Sequence, residues 1–174
     1  MMDVDEQQLE VLRRRAAALA RVPRAEREAE TITAVVFRLA DEYYALDARV
    51  VLEVHVLRDL TPLAGARAPL FGVTHWRGGV LTILDLRDQL GVRSRGLSDL
   101  SRVIVVDGGR HAFGILADAA SDIIEVDEQL IRTVGEDVER RLVRGLTPEA
   151  IMVMDTDAIL AAGREATQRD DHSG

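Results

Sequence analysis

Cysteine and lysine are absent from this chain, and tryptophan occurs once. Without cysteine there is no disulfide, no thiolate nucleophile and no thiolate metal site, a usage that suits a reducing compartment and sets the expectation of a cytoplasmic protein. No run of residues approaches the ~18 consecutive apolar side chains of a membrane span. The opening MMDVDEQQLE is acidic and has no apolar signal core, so neither export nor direct membrane insertion is expected. A formal net charge of −8 argues against nucleic acid as a partner, because that recognition draws on clustered cations. All 22 basic residues are arginine, whose planar guanidinium suits bidentate contacts with carboxylates, although a GC-rich codon bias is the simpler source.

What is present is the composition of a folded protein. At 174 residues, 47% hydrophobic and 30% charged, the chain can bury a core as one domain or as a pair of small subdomains. Leu9, Leu12, Ala16 and Leu19 recur at helical spacing and predict an amphipathic helix over 6–22, ended by Pro23. Such a helix docks on its own domain or grips a partner, and the spacing alone admits both. A polar linker follows over 24–30, which makes 1–30 an extension ahead of the main domain.

From there the pattern changes to short Val-, Ile- and Leu-rich runs bounded by turn signals, which predict ten strands, at 32–40, 43–47, 51–58, 71–76, 79–85, 102–107, 110–117, 121–126, 143–147 and 150–155. The Gly78-Gly79 pair and Asp107-Gly108-Gly109-Arg110 read as hairpin turns. The Ser- and Gly-rich stretch 91–101 reads as the connection dividing the strands into two sets of five. Helical turns fit 86–90, 136–141 and 157–162, and 163–174 reads as a disordered tail. Closely spaced strands without long helices favour barrels, so the expected fold is mainly β, two small barrels within 31–162.

The search for chemistry returns little. No phosphate loop, GxSxG elbow or HExxH pair occurs, and histidines 55, 75, 111 and 172 share no ligand spacing, so neither metal nor cofactor is expected. The acidic run Asp118, Asp122, Glu125, Asp127 and Glu128 reads as a solvated face with a cap at Asp127; a hydrolytic role for it would lack both nucleophile and base. More informative is the stretch Gly72-Val73-Thr74-His75-Trp76-Arg77-Gly78-Gly79-Val80-Leu81-Thr82-Ile83-Leu84-Asp85-Leu86-Arg87. Its Arg77 sits at a strand end, where a charge faces a partner or pairs internally with a mate such as Glu53, and Trp76 beside it makes the kind of pair enriched at protein interfaces.

That stretch resembles the GV-x-N-x-RG-x-(V/I)-x-P-(V/I)-(V/I)-DLR signature of the CheW-like domain, the coupling module of bacterial chemosensory arrays. Upstream, Phe37 to Asp47 and Val51-Leu52-Glu53-Val54 are similar to the family's opening hairpin and third strand. Downstream, Phe113 to Asp122 matches its G-x-x-V-D-x-V-x-(D/E) segment, and Ile131-Arg132 and Gly145 keep their places, so the likeness spans about 32–162. His75 stands where the family has Asn, and Thr82 where it has Pro.

The resemblance implies two five-stranded SH3-like barrels side by side and no catalysis. It implies an adaptor that ties the cytoplasmic tip of a chemoreceptor, a methyl-accepting chemotaxis protein, to the regulatory domain of a CheA-type histidine kinase. The positions it assigns to the receptor, in a groove between the barrels, are Val51, Glu53, Arg77, Gly114, Ala120 and Gly145. Glycines such as Gly114 would let a helix approach there closely. The kinase would meet Leu70, Phe71 and the segment near Val138. An alternative within the same fold is a stand-alone CheW-like protein that modulates or competes with array assembly.

Overall fold

The structure, a computed structural model, describes residues 31–94, 96–98, 101–135 and 141–170. The helix expected over 6–22, Val138 and all but the last residue of the turn expected over 136–141 lie outside the described residues.

Among the described residues, eleven strands form two sheets. Strands β1 (Thr31–Leu39), β2 (Glu42–Asp47), β9 (Ala119–Asp127), β10 (Val143–Leu146) and β11 (Ile151–Met154) make sheet one, in the order β10-β11-β2-β1-β9. Strands β3 (Val51–Val56), β4 (Thr61–Pro62), β5 (Leu70–Trp76), β6 (Gly79–Leu84), β7 (Arg102–Asp107) and β8 (Ala112–Ala117) make sheet two, in the order β3-β7-β8-β6-β5-β4. Ten of the eleven correspond to the expected strands; β4 is a two-residue addition at the edge of sheet two.

The division between the sheets does not fall at 91–101, as the sequence suggested. That stretch joins β6 to β7, both in sheet two. The chain leaves sheet one after Asp47, builds all of sheet two as one continuous insertion, and returns at Asp118 between β8 and β9. Loop composition marks where a chain turns, whereas membership of a sheet is set by hydrogen bonding between distant strands.

Central strands are buried on both faces and therefore read as unbroken apolar runs. In β1, Ala34 and Val36 point into a core inside sheet one with Ala45, Val126, Ile151 and Val153, while Phe37 and Leu39 point the other way. In β7, Val103 and Val105 fill a core inside sheet two with Leu81, Ile83 and Leu116, while Ile104 and Val106 join Phe37, Leu39 and Tyr44 in a third core shared by both sheets. The rings of Phe37 and Tyr44 stack there at 5.6 Å.

Among the described residues two α-helices are added to the sheets: the single turn α1 (Arg87–Leu90) and α2 (Thr156–Asp170). Residues 163–170, expected in a disordered tail, continue α2, whose Ile159 and Ala166 are buried in the shared core. The sequence misleads at Gly163, which looks like a helix stop. Its missing side chain is a packing requirement instead, since a Cβ there would run into the ring of Phe113. The β5–β6 turn is also displaced by one residue: Arg77 (φ 49°) and Gly78 (φ 78°) form it, and Gly79 pairs with Trp76. Positive φ at both central residues is the turn type that suits a two-residue hairpin.

Candidate functional site

Glu53 and Arg77, paired on sequence grounds, are brought together. Glu53 lies on β3, one edge of sheet two, and Trp76 and Arg77 lie at the end of β5 toward the other edge. The Trp76 indole Nε1 donates to Glu53 Oε1 at 2.5 Å, and Arg77 Nη2 donates to Glu53 Oε2 at 2.8 Å. The Arg77 guanidinium also lies over the Trp76 ring, 4.7 Å from its centroid, a cation–π contact. Three side chains thus latch the seam of sheet two. The indole hydrogen bond, then the Arg77 hydrogen bond and charge, hold the Glu53 carboxyl below its usual pKa. Arg77 stays 64% exposed, so its charge is oriented internally and still faces solvent.

Beside this latch, β3 has an unusual alternation. Val51, Glu53 and His55 are half-buried, whereas Leu52, Val54 and Val56 are exposed. Residues opposed across an antiparallel ladder share a face, and Val54 opposes Ile104 of the shared core. The apolar strip therefore lies on the face of β3 that borders the shared core, while Glu53, opposite Val105, reaches Arg77 from the strand's other face.

The other expected positions separate into two groups. Val51 and Ala120 are partly buried against the shared core. Gly114 and Gly145 do not open onto a groove. A Cβ on Gly114 would come within 2.5 Å of Ile83 Cδ1 and 2.6 Å of Val103 Cγ1, so the close approach it permits is that of its own sheet interior. Gly145 is likewise covered by Ile131 and Arg132, whose main chain exchanges hydrogen bonds with Leu146. Sequence shows that a glycine is needed but not which neighbour needs it. Leu70 and Phe71 are half-buried at the start of β5, Phe71 against the core of sheet two.

Two carboxylates that sequence reasoning gave no internal role occupy the chain crossovers. At the first, Asp47 is buried, accepts from the Arg49 backbone and guanidinium, and caps the 3-10 turn Ala48–Val50; the Arg49 hydrogen bond holds its carboxyl below the usual range. At the second, Asp118 was read as part of a solvated face. Instead it accepts from the Ala40 backbone at 2.6 Å and from Arg87 Nη2 at 2.5 Å. Arg87, only 3% exposed, also pairs with Asp85 at 3.0 Å through Nη1. This triad ties the end of β6 to the β1–β2 turn and so joins the two sheets. The available signal was the Asp85-Leu86-Arg87 tripeptide, but its second carboxylate comes from a strand junction 31 residues on. The remainder of the acidic run does face outward, apart from half-buried Asp127 and Glu128, and Asp127 caps the turn Glu128–Leu130 as expected.

The CheW-like domain profile matches residues 33–164. Among curated proteins, the "Probable chemotaxis protein CheW" of Rhizobium etli is 31% identical over 115 residues, covering 64% of this chain and 74% of that protein. The chemotaxis protein CheW of Bacillus subtilis is 27% identical over 106 residues, 61% of this chain and 68% of that one. Among solved structures, scaffolding protein TtCheW from Thermoanaerobacter tengcongensis superposes with a TM-score of 0.63 at 29% identity, covering 71% of this chain and 88% of its own.

Proposed function

This chain belongs to the CheW-like domain family, and from that premise we propose that it is a non-catalytic cytoplasmic scaffold that couples chemoreceptors to a CheA-type histidine kinase. The observation that carries the proposal is that β3 bears an exposed apolar strip, Leu52, Val54 and Val56, on one face and on the other holds, through Glu53, the oriented Arg77. An amphipathic helix docks through an apolar stripe, for which the strip offers a complement, and a carboxylate on such a partner could meet the exposed guanidinium. Val51 and Ala120 extend the apolar side, and Glu53 fixes the guanidinium so that less rotamer entropy is lost when a partner's carboxylate arrives. Gly114 and Gly145 act from behind, by letting the sheets pack closely enough to hold that strip in shape. Leu70, Phe71 and the segment near Val138 are assigned to the kinase, on the family's pattern. Recruitment to receptor arrays follows from these two contacts.

The test is affinity capture from the source organism's cytosol with wild type and with Arg77→Glu. Arg77 sits in an exposed turn and not in the core, so the variant should keep the fold, which circular dichroism checks. Wild type is expected to retain a chemoreceptor and a histidine kinase, and the variant to retain the kinase while losing most of the receptor. Equal receptor recovery by both would remove Arg77 from the interface. Recovery of neither partner by wild type would leave the family likeness as one of fold alone. A complex that forms but fails to stimulate the kinase would favour a modulator of array assembly.

A further inference from the structure

The far edge of sheet one presents a different surface. Among the described residues, β9, Ala119–Asp127, pairs with β1 alone. At its middle Ile123 is 67% exposed, as open as any large apolar residue described apart from Val80. Ile123 opposes Val35, Glu125 opposes Thr33 and Asp127 opposes Thr31, so these side chains share one face. Glu125 accepts from the Thr33 hydroxyl and Asp127 from the Gln129 amide, which leaves each carboxylate further acceptor capacity. The result, among the described residues, is an edge strand with one large apolar side chain near two carboxylates, a feature that invites edge-to-edge association unless something covers it.

We infer that residues 6–22 of this same chain cover it, docking as an amphipathic helix along β9 with Leu12, Ala16 and Leu19 over Ile123. Position is the first reason. The described chain begins at Thr31, opposite Asp127, so residues 1–30 are attached beside the end of β9. Ile123 lies four residues along the strand, about 13 Å away. Residues 23–30 span up to about 26 Å when extended, enough to reverse direction. A 17-residue helix is about 25 Å long, close to the roughly 30 Å of the nine-residue strand. Charge is the second reason. Residues 11–22 carry Arg13, Arg14, Arg15 and Arg21 and no carboxylate. At 3.6 residues per turn, Arg13 and Arg15 fall on either side of the Leu12–Ala16–Leu19 stripe, placed to meet Glu125 and Asp127 while the stripe covers Ile123. The inference is independent of the scaffold reading, since it concerns only contacts within the chain.

The absence of native cysteine makes a direct test simple. In the full chain, Ala16→Cys with Ile123→Cys should form an intrachain disulfide under dilute, mildly oxidising conditions at least tenfold faster than Ala16→Cys with Val80→Cys, whose exposed partner lies on sheet two. In parallel, Leu12→Glu/Leu19→Glu should speed hydrogen exchange at the outward amides of β9 and leave the melting temperature of the body unchanged. Equal cross-linking rates in the two cysteine pairs, or β9 exchange indifferent to the stripe variant, would overturn cis docking. A disulfide found between chains would assign the edge to a second copy instead.

Discussion

Replacing Arg87 with methionine tests whether the triad joins the two sheets. The side chain is 3% exposed, and its removal leaves Asp85 and Asp118, 18% and 16% exposed, facing each other without a cation. Breaking a buried pair by deleting one partner costs about 3–5 kcal/mol; because both carboxylates keep some contact with water, the lower end applies, about 3 kcal/mol. For a domain of this size that corresponds to a fall in melting temperature of about 6–12 °C. Urea unfolding followed by circular dichroism supplies the free energy, with the slope checked for constancy. The triple variant Arg87→Met/Asp85→Asn/Asp118→Asn sharpens the test. Each asparagine keeps an oxygen that can accept from the backbone amide now bonded to the aspartate, at residues 87 and 40, while removing the orphaned charge. It should recover at least half of the loss. A single variant within about 1 kcal/mol of wild type, or a triple variant as unstable as the single one, would refute the argument that an ion triad secures the crossover.

Two further outcomes are expected. Gly163→Ala should destabilise by about 1–2 kcal/mol, since overpacking against the Phe113 ring outweighs the helix propensity gained, and a urea midpoint shifted upward would show that α2 can slide to make room. Glu53→Gln keeps an acceptor for the Trp76 indole but loses the carboxylate charge. Because the folded state lowers the Glu53 pKa from its usual 4.5, its contribution is complete above that value and lost as pH falls through the lower folded one. The stability gap between wild type and Glu53→Gln should be widest at neutral pH and close in acid, and a gap that widens as pH falls would reverse that assignment.

The Glu53–Arg77 pairing shows how far sequence carries a site. A strand-end arginine beside hairpin glycines marked one partner, and Glu53 was its candidate mate. The indole of Trp76 as the third member was not marked, because it depends on the seam of sheet two bringing β3 and β5 together. Gly114 and Gly145 show the reverse case. Each was conspicuous, yet the need for a bare Cα comes from Ile83, Val103, Ile131 and Arg132 rather than from an incoming helix.

By itself the sequence determined the β class, ten of the strands and the approximate places of their turns, because strand periodicity and glycine conformations are local properties legible over a few residues. It also determined the family, through a signature carried in order along the chain. Only the tertiary structure decided that sheet two is an insertion between Asp47 and Asp118, that Gly163 lies inside a helix, and that Asp118 belongs to Arg87. Each of these depends on which distant segments share a ladder, a core or a charge, and pairing at long sequence separation leaves no periodic trace in the residues that take part.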